Sequence, residues 1–310
     1  MKLTMRLYQT EDDFWRIRDF LRRVFLANNQ RQFSWHVARF DYWRWHGIAN
    51  LNDGQFERDV FIWESAKGEL AAVLNREGSG HAFLQVYPGM RTTELEEEMI
   101  LVAEEHLTRE RSGRRELWIW ADSQDAFRQD LLSARGYAKS QWAEHQWRRD
   151  LGIPIPPVPT PPGYTVRSLG DGLELLERCY ASGLAFHEND IKTAVENRDD
   201  PTWYRNIQTA PLYRRDLDLV AIAPDGAVAS FTTIWFDDVT RSAYFEPVGT
   251  VPNHQRRGLG KALISEGLRR LGRMGARRAL VTGGELAANA LYNSVMGAEF
   301  DLSEAWVKRW

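Results

Sequence analysis

The residues best placed to do chemistry lie in Val248 to Leu263, VGTVPNHQRRGLGKAL, where a strand-like run gives way to a helix-like one. Gln255-Arg256-Arg257-Gly258-Leu259-Gly260-Lys261 joins the two, and Leu259, Leu263, Leu268 and Leu271 recur as the apolar face of a helix does. The first turn of a helix leaves backbone N–H groups without partners, and the dipole makes that end positive. Glycines at 258 and 260 remove the Cβ atoms that would hold an anion away from those groups, and Arg256, Arg257 and Lys261 add charge of the right sign. The expected product is a cradle for a pyrophosphate. Neither GxxxxGK[ST] nor GxGxxG is present in this stretch, so nucleotide-hydrolase and dinucleotide cradles are excluded.

The wider pattern V-P-x-x-Q-x-x-G-x-G, Val251 to Gly260, at a strand-to-helix junction resembles the acyl-CoA signature of the GNAT superfamily of N-acyltransferases. Downstream, Ala287–Tyr292 and Gly297 in AANALYNSVMG resemble that family's second motif, whose helix carries a tyrosine. The resemblance covers 163–310, about half the chain. It implies acetyl-CoA as co-substrate, with Val248, Gly249 and Thr250 pairing with the pantetheine arm as an added strand would. The Val248 N–H would face the thioester oxygen. Gln255, Arg256, Arg257, Gly258, Leu259, Gly260 and Lys261 would hold the pyrophosphate, and Tyr292 would protonate the departing thiolate. Two positions depart from the family pattern: Glu285 stands where an asparagine is usual, and one extra residue, at Met296, separates the tyrosine from its glycine.

An aliphatic amine with a pKa of about 10.4 is protonated at neutral pH, and freeing its lone pair costs roughly 4.6 kcal/mol. Such a reaction therefore needs a proton acceptor. Tyr244, Glu246 and Val248 are expected on one strand face, since side chains alternate. In the resembling family, the position of Glu246 often holds the base. Glu285, His187 and Glu188 are lesser candidates; Ala185–Asp190 falls where the resembling family has its variable acceptor loop, and reads equally as a solvated turn. The resemblance implies direct attack by an amine, expected to belong to a small molecule. A protein or peptide acceptor, or a non-catalytic acyl-CoA-binding module, are the alternatives.

Around this motif the second half reads as strands near Leu217–Ala223, Val228–Trp235, Ser242–Thr250, Arg278–Thr282 and Ala305–Trp310. Helices are expected over Gly258–Met274 and Ala287–Val295, and Pro224-Asp225-Gly226 predicts a hairpin. Ile153 to Pro162, IPIPPVPTPP, holds six of the twelve prolines and reads as an extended linker. The expected domains are therefore 1–152 and 163–310.

The halves also resemble one another. Met5-Arg6-Leu7 resembles the stretch Thr165-Val166-Arg167, Leu84–Pro88 resembles Val248–Pro252, and Gly136 matches Gly297; Met5 to Val166, Pro88 to Pro252 and Gly136 to Gly297 are offsets of 161, 164 and 161 residues. The fold class implied is α+β: two tandem GNAT-like folds, each a twisted, mostly antiparallel mixed sheet flanked by helices. In the first copy, aligning Pro88 with Pro252 puts Arg91 at the glutamine position and Glu94 and Glu96 at the two glycines, with Glu97 and Glu98 following. The tyrosine position falls near Leu132. Carboxylates suit a helix start but repel a pyrophosphate, so the first copy is expected to be degenerate and non-catalytic. Trp35, Trp43 and Trp45 leave an uncharged ligand open for it.

Bulk properties narrow the class. A net charge of −3 and a pI near 6.2 give no electrostatic argument for a nucleic-acid or membrane partner. The single cysteine, Cys179, excludes an internal disulfide and argues against a thiolate metal site; no metal is expected. No apolar run reaches membrane-spanning length, and MKLTMRLYQTEDD is too polar for a signal peptide, so a cytoplasmic location is expected. The 13 tryptophans read as packing rather than as a ligand cage.

Overall fold

The computed structural model describes residues 2–187 and 191–310. The chain divides into two compact units, Met1–Gln146 with Phe300–Trp310, and Trp147–Glu299.

The first unit runs β1 (Leu3–Leu7), α1 (Glu11–Ala27) and three short helices, α2 (Val37–Tyr42), α3 (Ala49–Leu51) and α4 (Phe56–Asp59). It continues with β2 (Val60–Ser65), β3 (Leu70–Arg76), β4 (His81–Val86), α5 (Thr93–His106), β5 (Arg109–Arg111), β6 (Arg114–Asp122) and α6 (Ala126–Ala134). β7 (Ala138–Asp150) carries the chain across the boundary. The second unit contains β8 (Thr165–Ser168), α7 (Leu173–Phe186), α8 (Ile191–Asp199), α9 (Thr202–Gln208), β9 (Asp218–Ile222) and β10 (Val228–Asp237). β11 (Ser242–Thr250), α10 (Leu259–Arg273), β12 (Arg278–Gly283) and α11 (Leu286–Met296) complete it.

Within the second unit the sheet order is β12-β11-β10-β9-β8, antiparallel except for β11 with β12. The expected hairpin joins β9 to β10: Gly226 takes φ +89°, a left-handed value that suits glycine, and its N–H reaches the Ala223 carbonyl at 2.9 Å. α10 buries Leu259, Leu263, Leu268 and Leu271 in a core shared with Ile234, Phe245 and Tyr292, so the apolar period read from sequence is its packing face. The proline-rich stretch falls inside this unit, where Ile155 packs on the same core.

The last strand does not follow the 163–310 division. β13 (Phe300–Arg309) pairs with β6 from Ser303↔Asp122 to Arg309↔Glu116, and Trp306 enters the first unit's core. Residues 300–310 therefore group with the first unit, whose sheet order is β1-β2-β3-β4-β6-β13.

The internal repeat extends to side chains. Arg6 grips Asp13 at 2.6 and 2.8 Å and donates to the Leu7 carbonyl at 3.0 Å. At the same offset in the second unit, Arg167 grips Glu174 at 2.6 and 2.7 Å and donates to the Ser168 carbonyl at 3.0 Å. In both copies the carboxylate also accepts a backbone N–H, from Gln9 at 3.0 Å and from Gly170 at 2.8 Å, so one ion pair ties the first strand to the first helix.

The start of α5 shows how the first copy uses the position of the cradle. Thr92 caps the helix by accepting the Leu95 N–H at 3.2 Å. Glu96, fully buried, binds Arg128 at 2.8 and 3.2 Å and also Arg91, which bonds Asp125 at 2.7 Å. Burial alone would raise the Glu96 carboxyl; the Arg128 and Arg91 charges outweigh it and hold the group below its ordinary range. Removing one partner of such a network strands buried charge, which typically costs about 3–5 kcal/mol. Glu96→Ala is expected to lower the urea midpoint of the full chain by a corresponding amount, and a midpoint equal to the parent's would show that the network contributes nothing.

Candidate acyl-transfer site

The site forms where two parallel strands part. β11 and β12 pair only over Ser242↔Arg278, Ala243↔Ala279 and Tyr244↔Leu280. From Phe245 to Thr250, β11 keeps its antiparallel partner β10 and has no register with β12. A row of backbone groups on this edge is open to an extended ligand, as an unpaired sheet edge is.

A bulge re-aims the side chains here. Against β10, Phe245 faces Ile234 and Val248 faces Thr232, so β11 spends three residues where β10 spends two. The extra residue lies at Glu246-Pro247. The expectation that Tyr244, Glu246 and Val248 share a face is therefore corrected. Tyr244 and Gly249 pair with Trp235 and Phe231 on the α7 side, while Val248 joins Phe245 on the core under α10. Gly249 is required there, since a Cβ would come within 2.3 Å of the Phe231 ring. Trp235, buried, donates its indole N–H to the Glu246 carbonyl at 2.6 Å, and Ser230 bonds the Gly249 carbonyl at 2.7 Å and the Thr250 hydroxyl at 2.8 Å.

Beyond the strand, Gln255 donates to the Thr250 carbonyl at 3.2 Å and Arg257 to the Asn253 carbonyl at 3.2 Å, which folds the loop back on itself. Arg256 has φ +58° and Gly258 φ +85°, while Arg257 between them is not left-handed. Such alternation turns successive N–H groups into one concavity that suits an anion. Gly258, Arg256 and Arg257 are exposed, and the side chains of Arg256 and Lys261 have no hydrogen bond or ion pair among the described residues. Gly260 does something else. It is buried, and a Cβ would come within 2.9 Å of Leu291 on α11, so this glycine lets two helices meet.

Tyr292, on α11, is buried against Gly283 at the end of β12. Burial, and secondarily the charge of Glu246, raise its phenol above the ordinary tyrosine value. Tyr292 and Glu246 are thus brought within electrostatic reach of each other across the parted strands. Glu285 stands exposed at the start of α11 and His187 exposed at the end of α7, while Glu188 lies outside the described residues. Cys179 is fully buried and its thiol is pushed up to about 12 by burial, so it is not a thiolate at neutral pH. Among the described residues, no group of three or more His, Cys, Asp or Glu could hold a metal, and no helix is long and apolar enough to cross a membrane.

Several residues that shape the site were not singled out from sequence. Trp235 and Ser230 act through the bulge, which no local pattern announces. Arg178, on α7, is fully buried beside Phe231.

In the first copy the corresponding parallel pair, β4 and β6, is also short, His81↔Trp118 and Ala82↔Ile119. Beyond it, Phe83 of β4 and Trp120 of β6 stack with ring centroids 5.9 Å apart, and Leu132 is buried in the core.

Residues 183–298 match the model of the Acetyltransferase (GNAT) family. A GCN5-related N-acetyltransferase from Sphaerobacter thermophilus is similar in structure, with a TM-score of 0.63 at 17% identity, over 99% of this chain and 95% of that one. A tandem GNAT protein from the clavulanic acid biosynthesis pathway gives 0.65 at 17% identity, over 99% and 98%. A GNAT-family acetyltransferase from Colwellia psychrerythraea gives 0.60 at 8%, over 99% of each chain. No curated protein matches the sequence. The match to the family model is confined to residues 183–298, and the chain as a whole carries the GNAT fold in tandem.

The exposed, left-handed Gly258 makes the cradle testable. Gly258→Glu adds a side chain at a strained φ and a carboxylate at the anion site. It is expected to remove detectable acetyl-CoA binding by calorimetry while leaving the circular dichroism spectrum unchanged; a parental affinity would contradict the assignment.

Proposed function

We propose that the second unit transfers an acetyl group from acetyl-CoA to the amine of a small molecule by direct attack. One observation carries the reading: β11 and β12 separate after Tyr244 and Leu280, with the anion concavity at the end of the opened edge.

The pyrophosphate would rest on the N–H groups leading into α10, with Arg256, Arg257 and Lys261 around it. The pantetheine arm would add to the edge at Gly249 and Thr250, with the thioester carbonyl at the Val248 N–H. The amine nitrogen attacks the carbonyl carbon, its proton passes to Glu246, and the carbon–sulfur bond breaks as Tyr292 gives its proton to sulfur. A buried phenol with a raised pKa is protonated before each turnover, which a proton donor requires. Direct attack needs no enzyme thiolate, in keeping with the buried Cys179.

The first unit, on this reading, no longer binds acetyl-CoA. Where the second unit leaves its concavity open, the first fills the same region with its own anion, Glu96, already neutralised by Arg91 and Arg128. The compartment proposed is the cytoplasm.

Tyr292→Phe keeps the ring and removes the hydroxyl, so kcat is expected to fall at least about 100-fold with little change in acetyl-CoA affinity. Because the phenol is raised above its ordinary value near 10, its loss of a proton should not depress kcat between pH 8 and 10. A tyrosine-dependent decline inside that window would contradict the assignment. Glu246→Gln should lose rate most where the amine is protonated and partly recover at high pH, whereas a profile parallel to the parent's would remove Glu246 as the base. Calorimetric titration of the full chain should give one acetyl-CoA per chain, and two equivalent sites would overturn the account of the first unit.

A further inference from the structure

Arg178 is the most conspicuous side chain that the proposed mechanism leaves unused. It lies on α7, fully buried, and none of its three guanidinium nitrogens has a hydrogen-bond partner among the described residues. Arginine stays charged in proteins, and a buried charge without hydrogen bonds is costly. The guanidinium carbon sits over the Phe231 ring, 3.6 Å from its centroid, and 4.7 Å from that of Tyr204. Stacking satisfies the face of a guanidinium and leaves its N–H edge free for a planar, two-oxygen acceptor.

The nearby carboxylate does not fill that edge. Asp218, also fully buried, takes the Tyr204 hydroxyl at 2.8 Å on both oxygens, the Tyr213 hydroxyl at 2.8 Å and the Thr233 hydroxyl at 3.4 Å. Its charge acts on Arg178 through space, while its lone pairs are engaged by neutral donors. Position adds the second part of the argument. The Phe231 ring under Arg178 is the same ring that lies against Gly249, one residue beyond Val248 on the opened strand. Phe186, exposed at the end of α7, stands edge-on to Phe231 at 5.8 Å and forms the outer side of this stack.

We infer that Arg178 recognises a carboxylate on the acceptor, so that the substrate class is small amino carboxylates, entering past Phe186 with the amine directed to Glu246. This rests on the proposed transfer reaction and narrows its acceptor. A bidentate carboxylate would complete the guanidinium edge, and an amide in its place would bring N–H against N–H.

The test compares thiol release from acetyl-CoA with proteinogenic amino acids and with their carboxamides, matched pair by pair. For the best pair, the parent protein should favour the acid over the amide by at least about 100-fold in kcat/KM. In Arg178→Met, which replaces a long side chain by an uncharged one, that ratio should collapse to within about threefold of unity. Arg178→Lys, which keeps charge without the planar fork, should leave an intermediate ratio. Acetyl-CoA affinity measured on each variant reports whether the second unit is folded; should the Met variant fail this control, the Lys variant decides. Equal use of acids and amides by the parent, or a parental ratio in the folded variants, would overturn the inference and leave the transfer reaction standing. Absence of thiol release with every acid and amide, on protein that binds acetyl-CoA, would remove both.

Discussion

Everything at the site depends on two parallel strands that stop pairing. Parallel strands normally bury their shared edge, because exposed backbone donors and acceptors invite other chains. Here the register of β11 with β12 ends at Tyr244 and Leu280, and the bulge at Glu246-Pro247 turns β11 while its other edge stays bonded to β10. Opening one edge and keeping the other leaves a row of backbone groups that is both available and rigid. Trp235 and Ser230, fastened to the Glu246 and Gly249 carbonyls from the far strand, hold it in that shape. The loop that follows needs two left-handed residues to reverse into α10, and the same reversal gathers its N–H groups.

The two copies show what happens to such a site when its charge is supplied from within. In the second, the cations at the concavity face solvent; in the first, Arg91 and Arg128 are engaged by Glu96, and Phe83 with Trp120 stacks across the parted strands. The backbone plan is the same, down to the ion pairs Arg6–Asp13 and Arg167–Glu174. What differs is whether a polar need is met by the chain itself. Arg178 illustrates the same logic in the second copy, where Asp218 is nearby but bound up with hydroxyls.

Much of this was readable from the sequence, for identifiable reasons. Gly258 before an apolar helical period marks a backbone position that other residues avoid, and the leucines of α10 repeat because one face is buried. Ser242–Thr250 has the same bounds as read. Gly260 also packs against Leu291, which spacing does not announce: it shows that a side chain is missing, not what lies in the room. The bulge escaped notice because one extra residue leaves no compositional trace, yet it moves Val248 to the other face from Tyr244. Arg178 escaped because a charged residue in a helix ordinarily points to water. β13 was recognised as a strand, but periodicity carries no information about which sheet a strand joins.

That last strand has a bearing on how the chain assembles. The second unit is continuous in sequence, Trp147 to Glu299, whereas the first needs Phe300–Arg309 to extend its sheet along β6 and to supply Trp306 to its core. During synthesis from the N-terminus, the half made first must wait with the β6 edge uncovered until Phe300–Arg309 emerges, while the half made second can already close. Birth order and completion order are reversed, and the interval between them is when the earlier half is most exposed to mispairing and to chaperones.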